Sequence, residues 1–362
     1  LQRILVSVTN DITTDQRVAK VCSSLEKSGY EILLVGRLRS DSVPLQRSYS
    51  TLRLKLWFEQ GPLFYAEYNI RLIILLLFTR KDIILANDLD TLPACYLASV
   101  LQRKTIVYDS HELFPEIPEL TNRPRIKKIW ECIEAIIVPK LANCYTVCDS
   151  IAGYYYSKYK TKFSVVKNVP RKENEAIALD TFQKAKNKNT IIYQGAVNKG
   201  RGIELVLESM HLLPEWIFLI IGSGDIISKI QNEISTKNLQ QQVLLLGKLS
   251  PEELRKVTPM ATIGISLEED MGLSYRYALP NKVFDYIQAR VPVLTSDLPE
   301  MKKIIEQYAI GEVLTKRTPE QFATTVQQIA NSDYGNNLER ARAELIWEKE
   351  EIILQSLFKN LR

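Results

Sequence analysis

GLSYRYALPNKVFDYIQARVPVLTSDLPE, residues 272–300, sets a polar loop broken by Pro280 before a short helix and then an apolar strand ending in the small polar turn Ser296-Asp297. The helix carries one inward-looking carboxylate, Asp285. Loop, helix and strand in that order make a ligand-facing corner of an α/β domain, because helix N-termini and the C-terminal ends of parallel strands open on the same crevice. Such a corner suits an anion.

The same alternation extends outward on both sides. Before the corner, strands over Thr190–Tyr193, Trp216–Ile221, Val243–Leu246 and Thr262–Ser266 alternate with helices over Ile203–Leu212, Asp225–Lys237 and Pro251–Val257. After it come a strand over Ile310–Leu314, a helix over Pro319–Asn331 and a last long helix over Leu338–Leu357. The first half repeats the pattern from strand Arg3–Val8 and helix Asp15–Lys27 through an apolar helix at Pro62–Phe78, strand Asp82–Ala86, helix Thr91–Leu101 and strand Lys104–Tyr108 to strand Ser164–Lys167. Residues 170–188 are polar and break it, which reads as an interdomain linker. The expectation is an α/β protein of two doubly wound, Rossmann-like domains facing each other across a cleft: 1–169, joined by the end of the last helix over 345–362, and 189–344.

Composition narrows the class. At 362 residues with 46% hydrophobic and 25% charged residues, the chain can bury two cores. The net charge of +5 is unevenly spread: residues 1–170 hold 23 Lys and Arg against 17 Asp and Glu, an excess of six, and the remainder holds 24 against 25. That footprint is too thin for nucleic acid and points to an anionic membrane surface or a phosphate-bearing acceptor. Five scattered cysteines, without a CxxC pair or neighbouring histidines, fit a reduced cytoplasmic protein and no zinc site. The longest apolar run, Leu72–Phe78, is too short to span a bilayer, and no transmembrane helix or signal peptide is expected.

Five constellations carry chemistry. Gly195-Ala196-Val197-Asn198-Lys199-Gly200-Arg201-Gly202 follows a strand and opens a helix, so its glycines admit a ligand to the backbone while Lys199 and Arg201 suit a pyrophosphate; a solvated basic turn is the alternative. Gly222-Ser223-Gly224 lacks the third glycine of a dinucleotide fingerprint, Ile227 standing there, and reads as a phosphate turn or simply a tight one. His111, between Asp109 and Glu112 at a strand end, can be tuned by a carboxylate, whereas His211 reads as a helix-end residue. In Asn87-Asp88-Leu89-Asp90 the second aspartate is expected to cap the following helix rather than to hold a metal. Arg123, Arg125, Lys127 and Lys128 beside Trp130, together with Leu63-Phe64-Tyr65 and the apolar helix after it, suggest peripheral membrane contact or else a solvated basic face.

With these pieces in place, the chain resembles the GT-B-fold glycosyltransferases of the retaining, family-4-like group over nearly its whole length. The resemblance rests on NDITTDQRVAKVCSSLEKSGYEILLVGR, ANDLDTLPACYLAS, VYDSHELFPE, YQGAVNKGRGIELVLESM, LIIGSGD and PNKVFDYIQARVPVLTSD. It implies a nucleotide diphosphate-sugar on the C-terminal domain and an acceptor on the N-terminal one, with Asn10, Asp15, Arg17, Asp88, Asp90 and Glu112 on the acceptor side. In the family's phosphate turn the first cation slot is Ala196 here and the second Arg201, with Lys199 a substitute. Of its paired glutamates, Asp285 takes the second, ribose-binding slot. Tyr277 takes the first and departs from the pattern, with Glu268 and Glu269 near in sequence. The resemblance also implies that Asn281 and Lys282 meet the phosphates, that Gly195, Gly222 and Gly224 line the donor, that the base rests near Lys248 and Leu249, and that His111 stands near the transfer centre. The implied reaction is metal-independent transfer, with retention, to a glycan or lipid-linked acceptor in surface polysaccharide or glycoconjugate synthesis, Tyr277 being the departure that bears on the retaining mechanism. An epimerase of the same architecture, using Asp88, Asp90, Asp109 and Glu112, and a catalytically silent nucleotide binder are the rival readings.

Overall fold

The computed structural model describes residues 1–361 except Thr14, Asp41, Pro118, Glu119, Thr121, Asn122 and 173–187. Most of the linker expected over 170–188 therefore lies outside the described residues. The chain divides into two compact units, Leu1–Asn168 with Trp347–Arg362, and Val169–Ile346.

In the first unit, strands β1 (Arg3–Ser7), β2 (Glu31–Leu38), β3 (Ser50–Lys55), β4 (Ile83–Asn87), β5 (Thr105–Ser110), β6 (Cys144–Thr146) and β7 (Ser164–Val165) form one parallel sheet in the order β3-β2-β1-β4-β5-β6-β7. Helices α1 (Gln16–Lys27), α2 (Gly61–Phe78), α3 (Asp88–Gln102), α4 (Pro124–Ile137) and α5 (Asp149–Tyr159) connect them. All five residues of β4 are buried, as a parallel strand covered on both faces requires. The chain order reverses direction between β1 and β4, which makes the C-terminal ends of those strands the switch point.

The second unit repeats the design with β8 (Asn189–Gln194), β9 (Trp216–Ile221), β10 (Val243–Gly247), β11 (Ile263–Ser266), β12 (Val293–Ser296) and β13 (Gly311–Leu314) in the order β10-β9-β8-β11-β12-β13. Its helices are α6 (Ile203–Ser209), α7 (Ile227–Thr236), α8 (Pro251–Val257), α9 (Leu273–Arg276), α10 (Asn281–Gln288), α11 (Pro299–Tyr308), α12 (Pro319–Ala330) and α13 (Gly335–Glu344). Here the switch point lies between β8 and β11. Both units are thus parallel, Rossmann-like α/β layers.

Three expectations need correction. The long helix foreseen over Leu338–Leu357 is two, α13 and α14 (Trp347–Lys359), because Leu345 belongs to the core of the second unit and Trp347 to that of the first. The Trp347 indole N–H donates to Ser24 Oγ at 2.9 Å, and Tyr30 hydroxyl reaches the Phe358 carbonyl at 2.9 Å, so α14 is stitched to α1 and to the turn before β2. Helix α11 was not foreseen, although Pro299 at its start and buried Met301, Ile304, Ile305 and Tyr308 give it a helical stripe. Finally, α2 is 18 residues long with mean hydropathy 1.3, long and apolar enough by length and composition to cross a membrane, where none was expected. Its inner face, Phe64, Tyr68, Leu72 and Leu76, is buried in the first unit, and Tyr68 hydroxyl bonds the Val8 carbonyl at 2.6 Å.

Candidate functional site

The opening stretch does form a corner, and α10 is what fixes it. Val283, Phe284, Tyr286 and Ile287 are buried, and the Tyr286 ring lies flat against Gly264 of β11, where an added Cβ would come within 2.4 Å of ring carbons. The Tyr286 hydroxyl accepts the Gln194 N–H at 3.2 Å and reaches the Ile192 carbonyl at 3.2 Å. This anchorage sets Lys282 and Asp285, one turn apart, over the ends of β8 and β11.

Lys282 is buried, its ammonium 2.8 Å from Glu268 Oε1 and 4.2 Å from the centre of the Tyr193 ring. Glu268 is 0% exposed, follows β11, and also accepts from Ser266 Oγ at 2.7 Å and from Arg201 at 3.5 Å. Burial alone would raise the Glu268 carboxyl, but Lys282, Ser266 and Arg201 outweigh it and hold it below the ordinary glutamate range. Burial likewise pulls the Lys282 ammonium down against the attraction of Glu268. Arg201 lies over the Tyr275 ring at 4.8 Å, and its buried Nε has no hydrogen-bond partner among the described residues. Two cations thus share one carboxylate. The cluster carries an excess positive charge and a spare buried donor, the means of binding an anion.

Asp285 accepts from Gln194 Nε2 at 3.0 Å, and Gln194 in turn accepts from Thr258 Oγ1 at 2.9 Å. The structure therefore gathers Arg201, Lys282 and Asp285 with Gly195, whose added Cβ would meet Lys282 Cε at 3.6 Å. Gly222 and Gly224 serve loop packing: a Cβ on Gly222 would lie 1.8 Å from the Gly195 carbonyl oxygen, and one on Gly224 would lie 2.4 Å from that of Val197. Lys199, Lys248 and Asn281 are exposed, Leu249 is half-buried against the core, and Tyr277 ends α9 half-buried. Glu268 is the residue around which the site is built, and sequence reasoning noticed it only as a neighbour of Tyr277. Tyr193, Ser266, Gln194 and Arg317, which bonds Ser296 Oγ at 2.9 Å and the Leu267 carbonyl at 3.1 Å, were missed. Their one signal was position at or just beyond strand ends.

In the first unit the β1/β4 switch point holds a second cluster. His111 presents Nδ1 to Asp88 Oδ2 and Nε2 to Asp109 Oδ2, each at 3.0 Å, and its backbone N–H donates to Asp88 Oδ1 at 2.8 Å. Arg17 grips Asp109 through two nitrogens at 2.8 and 3.1 Å and donates to the Val166 carbonyl at 2.9 Å. Burial opposes the charge on His111, yet Asp88 and Asp109 prevail and raise it well above the ordinary histidine range. Burial would raise Asp109 too, but Arg17 and His111 bring it down to about 2. His111 is an imidazolium that gives both ring N–H groups to carboxylates, so it does not stand ready as a base.

The acceptor-side residues divide accordingly. Arg17, Asp88 and Asp90 are at this cluster, whereas Asn10 pairs with Asp15 at 3.3 Å and Asp15 caps α1 through the Val18 N–H at 3.0 Å. The Glu112 side chain is exposed, and Asp88 rather than Glu112 joins Asp109 on the histidine. The capping role expected of Asp90 is wrong: α3 begins at Asp88, and buried Asp90 lies inside its first turn, accepting from Thr9 Oγ1. Burial, then repulsion from Asp88, pushes its carboxyl up to about 8. Of the surface expected around Trp130 only the aromatic part turns inward, Trp130, Phe64, Tyr65 and Phe114 stacking on one another, whereas Arg123, Arg125, Lys128 and Leu63 are exposed and Lys127 pairs with Glu116 at 2.9 Å. No group of three or more metal-ligating side chains occurs among the described residues.

Residues 177–345 match the family model of the glycosyl transferases group 1. The chain has the GT-B fold of the glycosyltransferases. The whole chain superposes on sucrose-phosphate synthase from Thermosynechococcus elongatus with a TM-score of 0.81 at 15% identity, covering 100% of this chain and 99% of that one. HepE of Anabaena, solved in complex with UDP and glucose, matches at a TM-score of 0.73 and 11% identity over 99% of this chain and 100% of its own. A glycosyltransferase from Rickettsia africae matches at 0.73 and 14% over 99% of each. A search of curated protein sequences returns no match. At these identities the solved GT-B relatives speak for the fold, and the family match speaks for the second unit.

Proposed function

We propose that this GT-B protein transfers a sugar from a nucleotide diphosphate-sugar to a glycan or lipid-linked acceptor, with retention and without a metal ion, in surface polysaccharide or glycoconjugate synthesis. The observation that carries the reading is the pair of cations, Lys282 and Arg201, on the single buried carboxylate Glu268 at the β8/β11 switch point. Negative charge grows on the leaving diphosphate as the glycosidic bond breaks, and donors already fixed in a site sheltered from water stabilise it most. Lys282 and Arg201 supply that charge. Asp285, one turn further along α10, is the group we assign to the ribose hydroxyls, and HepE's complex with UDP and glucose supports a nucleotide-sugar as donor. His111, whose two ring nitrogens both face carboxylates, is assigned an electrostatic part near the sugar through its positive charge rather than the taking of a proton. None of the five cysteines is joined in a disulfide, which fits the cytoplasmic setting we propose.

A thermal-shift screen against UDP-, GDP-, ADP- and CMP-sugars tests this, since a ligand that binds only the folded state raises its melting temperature. One sugar nucleotide is expected to stabilise the protein and to be consumed when acceptor extract is added. Sugar-nucleotide isomerisation without an acceptor would instead establish an epimerase, and binding without turnover a silent binder.

A further inference from the structure

We infer that the outer face of α2 and α3 docks on an anionic lipid bilayer. Every exposed residue of α2 is apolar, with Ile70 59%, Ile74 53% and Phe78 88% exposed, and every exposed residue of α3 is apolar as well: Leu97, Val100 and Leu101. The two helices pack together with their C-terminal ends side by side. Gln102 Nε2 donates to the Leu77 carbonyl at 2.8 Å, and buried Lys81 donates to Gln102 Oε1 at 2.6 Å and to the Leu76 carbonyl. The exposed residues therefore make one continuous apolar face, where a water-facing helix pair would carry charge.

The chemistry around this face selects its occupant. Exposed Arg80 and Arg103 follow the two helix ends, and Lys140 lies over the Tyr96 ring at 5.9 Å. The one acid of α2, Glu67, is turned aside: its carboxylate accepts the Trp57 N–H at 2.9 Å, the Phe58 N–H at 3.0 Å and Arg71 Nε at 2.8 Å. Trp57, 83% exposed and stacked under Arg71 at 4.8 Å, adds an amphipathic ring beside the stripe. An apolar face with a basic edge matches acyl chains beneath anionic headgroups, whereas a protein partner would meet a rim of mixed polarity. The buried inner face of α2 forbids crossing: extracting Phe64, Tyr68, Leu72 and Leu76 would open the core of the first unit. The helix lies on the bilayer and does not span it.

Co-sedimentation of the full chain with phosphatidylcholine vesicles, with and without phosphatidylglycerol, tests the proposal. The wild type is expected to sediment with the anionic vesicles. The double variants Ile74→Lys with Leu101→Lys, and Arg80→Glu with Arg103→Glu, are each expected to lose at least about tenfold in partitioning. Circular dichroism confirms that these exposed substitutions leave the fold intact, and the nucleotide thermal shift read on the same samples reports on the donor site independently. Undiminished sedimentation of Ile74→Lys with Leu101→Lys overturns the proposal. So does a dimer in light scattering without vesicles that this variant abolishes, because the face would then belong to a second copy of the chain.

Discussion

At the β1/β4 switch point two aspartates, Asp88 and Asp109, meet two cations, Arg17 and His111, while at the β8/β11 switch point one glutamate, Glu268, meets two, Lys282 and Arg201. The two positions are equivalent in topology and differ in charge balance. In the first the charges cancel, both imidazole nitrogens are taken, and the network acts as a rigid polar floor. In the second a positive charge is left over and a buried guanidinium nitrogen is unmatched, so the same architecture becomes a receptor for an anion.

The sharpest way to break this comparison is to remove the central carboxylate from each cluster. Glu268→Ala and Asp109→Ala should each cost about 3–5 kcal/mol of stability in urea denaturation, because each strands buried cations. Only Glu268→Ala should also change nucleotide diphosphate affinity, because it frees Lys282 and Arg201 from their fixed places; equal changes of affinity in both would erase the distinction. Next in size, Lys282→Ala and Arg201→Ala should each weaken that binding by about 1–3 kcal/mol in calorimetry, the range for a charge-assisted hydrogen bond. Arg17→Ala should leave it unchanged.

A pH series sharpens the comparison further. Asp90, with its folded pKa raised to about 8, stabilises the fold fully below its unfolded value near ~4, and that contribution is lost as pH rises through about 8. Asp90→Asn should therefore flatten the decline of melting temperature between about pH 4 and about pH 8. Asp109, lowered to about 2, acts in the opposite sense: its contribution is present above ~4 and lost on acidification towards 2. The smallest effect is expected at exposed Lys199, where Ala should change stability by no more than about 0.5 kcal/mol.

Strand and helix alternation made both parallel sheets legible, because buried strands such as IILAN and WIFLII announce themselves by composition. The break between α13 and α14 was hidden, since a helical stripe does not reveal that Leu345 and Trp347 enter different cores. At the site, the residues on α10 were readable from their place in the helix. Glu268 was not, because its importance comes from burial and from contacts with residues 67 and 14 positions away. The pairing of His111 with Asp88, from a different strand end, escaped for the same reason. The apolar outer face of α2 was half visible: the run Leu72–Phe78 stood out, but which side chains faced outward required the packing of Tyr68 and Leu72.

The central claim is that the cluster around Glu268 reads a diphosphate. Its most direct test takes whichever of UDP, GDP and ADP gives the largest thermal shift and compares its calorimetric affinity with that of the matching monophosphate, in wild type and in Lys282→Ala. The account predicts tighter binding of the diphosphate by the wild type and loss of that preference in the variant. A preference that survives Lys282→Ala undiminished would contradict it.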